Sequence, residues 1–129
     1  MSEGIRYIEF RLTDILGRLK AMIVPCEPVE DIKELINNPE MQNGTSIDGS
    51  SILGLARVES SDLRLDPDPS TLVELPYRLQ RTAAAMCFIR EKADPGTSYY
   101  PKDTRGILHN ACESILEKGM ELRAKVEPE

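Results

Sequence analysis

IRYIEFRLTDILGRLKAMIV, residues Ile5 to Val24, is the stretch whose reading decides the fold. Ile5, Tyr7, Glu9 and Arg11 alternate with Arg6, Ile8, Phe10 and Leu12, the period of a strand, and a second apolar stretch runs from Leu19 to Val24. Between them, Thr13-Asp14-Ile15-Leu16-Gly17 supplies turn chemistry, with Gly17 free to take a positive φ. The pattern predicts two antiparallel strands. Next, Pro28 suits the first turn of a helix, and Val29, Ile32, Leu35 and Ile36 recur at helical spacing until Asn37-Asn38-Pro39 stops them. A hairpin followed by a helix across one face opens a β-grasp or another α+β arrangement.

Further strands are expected at Ser61–Leu65, Thr71–Leu75 and Thr82–Ile89, all in the same sheet. After an Asp94-Pro95-Gly96-Thr97 turn, Asp103 is a good N-cap for a helix with an apolar stripe of Ile107, Leu108, Ala111, Ile115 and Leu116. Gly119 is expected to close that helix, and a strand from Glu121 to Val126 to follow it.

The chain has 129 residues, enough for one modest core, with 40% apolar and 29% charged residues, the balance of a folding domain. A net charge of −6 argues against a nucleic-acid surface, which needs clustered Lys and Arg. No apolar run approaches the roughly 20 residues that cross a bilayer, and MSEGIRYIEF lacks a signal-peptide core, so no membrane partner and a cytoplasmic location are expected. Cys26, Cys87 and Cys112 are too widely separated for a disulfide framework or a metal knuckle and read as reduced thiols. His109 reads as part of an exposed face, with Arg105 and Glu113 four residues to either side. Arg11, Arg18 and Lys20 read as a solvated sheet edge, and Met41 and Met86 as core or loop fillers.

The loop Ile47-Asp48-Gly49-Ser50-Ser51-Ile52 read alone is a tight turn whose hydroxyls bond nearby main chain. Asp48, Asp62, Asp66 and Asp68 lack the alternating ligand register of a calcium loop. No histidine or lysine base lies near in sequence to activate a serine nucleophile.

In order along the chain stand the Asp14–Gly17 turn, D-G-S-S-I at Asp48–Ile52, Gly54, E-S-S-D-L at Glu59–Leu63, Pro67-Asp68, Thr71, Pro76 and Cys87. This series resembles the N-terminal region of glutamine synthetase, a β-grasp domain that precedes the catalytic domain. Tyr100-Pro101-Lys102-Asp103-Thr104-Arg105 resembles the lead into the family's first catalytic-domain helix, with Thr104 where Pro is usual. Phe88 stands where an Asp often follows Cys87, and Tyr77 alone remains of the aromatics after the P-D-x-x-T strand, the marks of a divergent branch.

The resemblance implies an α+β fold: a β-grasp-like mixed sheet with a packed helix over residues 1–98, then a helix and strand from an incomplete catalytic domain over 99–129. It implies ATP-dependent glutamine formation from glutamate and ammonia, with Mg²⁺ or Mn²⁺ in the full-length enzyme and neither cation nor ATP held tightly by this chain alone. Asp48 is then the carboxylate that reaches a neighbouring protomer's site, holds ammonium and accepts its proton, with Gly49, Ser50 and Ser51 shaping the loop. Glu127 and Glu129 match the family's E-x-E strand; two residues apart on a strand, they present carboxylates to one metal site. The implied partners are further copies of the chain or full-length synthetase subunits. The isolated chain is expected to be inactive, whether a fragment or a short homologue. The alternatives are a non-catalytic interaction or oligomerisation module that binds itself or a full-length synthetase, and an unrelated β-grasp binding domain.

Overall fold

The computed structural model describes residues 4–48, 62–91 and 99–126. Strand β1 (Ile5–Thr13) turns into the antiparallel β2 (Leu19–Val29), as the hairpin pattern predicts. The turn is organised by buried Asp14, whose Oδ1 accepts the Leu16 and Arg18 amides at 2.9 and 2.8 Å, and Gly17 takes φ +79°. β2 carries Pro25 and Pro28, which removes two ladder donors and confines it to the edge of the sheet.

After Val29 the chain does not form the single helix expected from Pro28. Strand β2 runs through Pro28 and Val29, and a 3-10 helix (Ile32–Asn37) starts at Asp31, whose carboxylate accepts the Lys33 amide in a capping box with Glu34. Asn38-Pro39 ends that helix and also starts the short helix α1 (Pro39–Asn43), with proline in the first turn, where its missing N–H costs nothing. Leu35 and Met41 from these two pieces are buried against the sheet.

Strands β3 (Thr45–Asp48), β4 (Asp62–Pro67), β5 (Val73–Leu75) and β6 (Thr82–Glu91) complete a sheet of order β2-β1-β6-β4-β3, with β5 also on β6. β6 is the spine. It pairs parallel with β1, while on its other side β5 pairs antiparallel with its first half and β4 with its second. One face packs Ile8, Phe10, Leu12, Leu63, Leu65, Ala83, Ala85, Cys87 and Ile89 with Leu35 and Met41 into the core. The mixed sheet with few helices is the α+β, β-grasp class expected.

Helix α2 runs from Thr104 to Val126 without a break. The strand expected at Glu121–Val126 is therefore helix, and Gly119 does not end α2. Met120, Glu121, Leu122, Arg123, Ala124 and Lys125 are all strong helix formers, and their summed preference outweighs the ~1 kcal/mol that one interior glycine costs. The expected apolar stripe lies open: Ile107, Leu108, Ile115 and Leu116 are all exposed.

Gly44 sets β3 on β4. It has φ +72°, and a Cβ there would collide with the Leu65 carbonyl, across from the Thr45–Leu65 pair. Gly17 has a similar φ but open space around it. Gly17→Ala is expected to cost about 1 kcal/mol from φ alone, and Gly44→Ala roughly 3 kcal/mol because β3 must also shift. Urea unfolding of the two variants checks this; equal losses would contradict the collision at Leu65.

Candidate functional site

Asp48 is the last residue of β3, exposed, and pairs in register with Asp62, the first residue of β4. The two strands thus set Asp48, the acid singled out in the sequence, beside Asp62 at one end of the sheet. Gly49, Ser50, Ser51 and Glu59 lie outside the described residues, as do Glu127 and Glu129. Val126, expected to lead a strand into that Glu pair, is helical.

The far end of β4 carries a constellation that sequence reasoning missed. Asp66 Oδ2 accepts Arg90 Nε at 2.7 Å, and Asp68 Oδ2 accepts Arg105 Nη2 at 2.6 Å. Arg90 covers the Tyr99 ring at 4.6 Å, Tyr99 stacks on Phe88 with centroids 4.4 Å apart, and Arg105 covers Phe88 at 4.7 Å. The result is a stack of four planar groups, cation-ring-ring-cation, held at each end by an aspartate. Such stacks gain both from ring-on-ring contact and from the guanidinium over the ring face. His109 stands edge-on to both rings, at 5.4 and 5.6 Å, and reaches Glu113 at 3.5 Å. Arg105, one turn earlier on the same helix, is engaged by Asp68.

Signals for this cluster were present. Asp66 and Asp68 are two apart before β6, and Asp66 pairs in register with Phe88. What hid the cluster is that Tyr99 and Arg105 arrive from far along the chain. Phe88, noted only as a departure from an Asp, is the ring on which Arg105 rests.

Burial pushes the Asp68 carboxyl upward, but hydrogen bonds from Ser70 and Arg105 outweigh it and hold the group below the usual aspartate range. Burial raises the Cys87 thiol to about 12 and the Cys26 thiol to about 11, so neither is a ready thiolate. All three cysteines are free thiols, as expected. Arg11 is not the solvated edge residue expected: it donates to Glu9 and to Tyr77 Oη. Among the described residues, no group of three or more His, Cys, Asp or Glu could hold a metal ion, and no helix is long and apolar enough to cross a membrane.

A folded carboxyl held below its unfolded pKa stabilises above the unfolded value and loses that stabilisation as pH falls through the folded one. Asp68→Asn is therefore expected to lose about 1 kcal/mol near pH 7, discounted for partial exposure, and the gap to the wild type to narrow as pH falls toward about 2. Urea midpoints at the two pH values check it; a gap undiminished in acid would contradict the role of the ionised carboxylate.

Residues 4–92 match the glutamine synthetase β-grasp domain family. Glutamine synthetase of Thermococcus kodakarensis is 35% identical over 124 residues, 96% of this chain and 25% of that protein. The Halobacterium salinarum glutamine synthetase is 30% identical over 128 residues, 99% of this chain and 26% of that one. The chain thus spans about a quarter of the length of these relatives. Among solved structures, a GmaS/ADP complex superposes with a TM-score of 0.69 at 22% identity, over 90% of this chain and 24% of the other. Plasmodium falciparum glutamine synthetase gives 0.66 at 24% identity, over 90% and 20%, and both likenesses support the fold. A β-grasp sheet and a family match over most of its length together place this chain in the glutamine synthetase family, as its N-terminal region.

Proposed function

We propose that this chain is the N-terminal part of an ATP-dependent glutamate–ammonia ligase, with residues 1–98 as its β-grasp domain and 99–129 as the start of its catalytic domain. The observation that carries the reading is the family match over residues 4–92, within which β3 ends on Asp48 at one end of the sheet.

In the proposed reaction, ATP phosphorylates the γ-carboxylate of glutamate, and ammonia displaces the phosphate to give the amide. This chain's contribution is Asp48. An ionised carboxylate attracts NH₄⁺ through charge-assisted hydrogen bonds, then takes one of its protons, so that neutral NH₃ with a free electron pair attacks the acyl phosphate. The acid acts on a neighbouring protomer, so the working unit is an oligomer. Gly49, Ser50 and Ser51 shape the loop that carries it.

The described residues do not fit a divalent cation: none forms a ligand cluster. Mg²⁺ or Mn²⁺ would come to Glu127 and Glu129 only together with ligands from the remaining length of the enzyme, because two carboxylates do not fill a near-octahedral shell. By itself the chain is proposed to be inactive.

The test replaces the matching quarter of the Thermococcus kodakarensis glutamine synthetase with this chain and measures ATP-dependent glutamine formation. The chimera is expected to be active. Asp48→Ala in it should lower kcat/KM for ammonium about 100-fold, the usual scale of a lost general base. Glutamate kcat/KM at saturating ammonium should fall far less. An active chimera indifferent to Asp48→Ala would remove Asp48 from the chemistry.

A further inference from the structure

The sheet face opposite the core holds a second charged cluster. Glu9, buried, pairs in register with Ile23 of β2 and Ala84 of β6. Its Oε1 and Oε2 each accept Arg78 Nη2 at 3.0 Å, and Oε1 also accepts Arg11 Nη2 at 3.2 Å. Arg11 Nη2 donates in addition to Tyr77 Oη at 2.9 Å, and Arg11 Nε is buried without an acceptor. Nearby, Arg81 is matched by Glu74 at 2.8 and 3.0 Å. One carboxylate therefore serves two guanidiniums, and the Glu9 cluster keeps a surplus positive charge in a chain of net charge −6.

Beside this cluster lies an open pocket lined by Tyr7, Ile23, Arg78, Leu79, Gln80 and Thr82. Arg78 is its one cation. The Thr82 hydroxyl is engaged, donating to the Gln80 carbonyl at 2.8 Å. Leu79 is fully exposed and Ile23 half exposed, so the rim offers apolar surface next to the charge. Glu9 fixes the Arg78 guanidinium through Nη2, and Nε and Nη1 have no acceptor among the described residues. An arginine already locked in place loses little rotamer freedom when it takes a ligand.

We propose that this pocket binds a small organic anion with one carboxylate on an apolar body. The carboxylate meets the unused edge of Arg78 and offsets the surplus charge; the apolar body lies against Ile23, Leu79 and the Tyr7 ring. A second carboxylate on the ligand would lose water against Ile23 and Leu79 without finding a cation, which disfavours dicarboxylates. An inorganic anion would leave the apolar rim uncovered. This inference does not depend on the proposed ligase activity.

Nitrogen-15 NMR titration of the whole chain tests it, with benzoate as the probe and benzamide, succinate and inorganic phosphate as comparisons. Benzoate should give saturable shifts at the Tyr7, Ile23, Leu79, Gln80 and Thr82 amides, and each comparison should bind about tenfold more weakly or less. Arg78→Gln and Leu79→Ser should each weaken benzoate at least about fivefold. Leu79 has no packing to lose, so its variant remains a test even if Arg78→Gln disturbs Glu9. A benzoate response that does not saturate, survives both substitutions, or is equalled by benzamide, succinate or phosphate would overturn the proposal.

Discussion

A single buried carboxylate joins the sheet to the helix that leaves it. Asp103, 2% exposed, accepts the Ile89 amide of β6 on Oδ2 at 2.8 Å and the Arg105 amide on Oδ1 at 3.2 Å, and its carbonyl accepts the Ile107 amide at 2.9 Å. The same residue thus ends one ladder and caps α2, filling donors that would otherwise be orphaned in the interior. The Tyr100 amide donates to the Ile89 carbonyl at 2.7 Å, so both polar groups of Ile89 are satisfied by the segment that brings Asp103 in. Burial raises the Asp103 pKa against the pull of these N–H groups. Its pH contribution is therefore opposite in sign to that of Asp68: stabilising below the ordinary aspartate pKa, and declining as pH rises through the raised one.

Around that joint the remaining order is laid out by β6. Ala83, Ala84 and Ala85 are all buried, in the first half of the strand, where β1 pairs on one side and β5 on the other. The second half carries Phe88 and Arg90, which meet β4, Tyr99 and Arg105 in the four-layer stack. From β4 the register continues to β3 and ends at Asp48. The proposed ammonium carboxylate and the helix leading into the proposed catalytic domain therefore hang on one hydrogen-bonded frame. Beyond its first turn α2 presents Ile107, Leu108, Ile115 and Leu116 to solvent, and under the proposed function that face belongs against the remainder of the synthetase.

Period and turn chemistry made the hairpin, β6 and the Asp103 cap readable, because each rests on residues near one another in sequence. The Gly17 turn and the antiparallel hairpin follow from local pattern alone. Two local signals misled. Pro28 favours a helical first turn but is equally at home in an edge strand, and the edge position is fixed only by tertiary pairing. Gly119 was weighted as a stop although the residues after it all favour helix. Asp48 was singled out by a motif that stands in order along the chain, whereas the charged clusters built across distance were illegible. Glu9 with Arg78, and Asp68 with Arg105, are 69 and 37 residues apart. Nothing in either local sequence distinguishes these charges from a solvated face.

The joint at Asp103 is the claim on which the frame rests, and residue-resolved amide hydrogen exchange of Asp103→Ala against the wild type tests it most directly. A shared carboxylate predicts that exchange accelerates together at Ile89, on the sheet, and at Arg105, on the helix, while the β1–β2 hairpin stays protected. Acceleration confined to the helix amides, with Ile89 unchanged, would show that sheet and helix are held independently and would contradict the account.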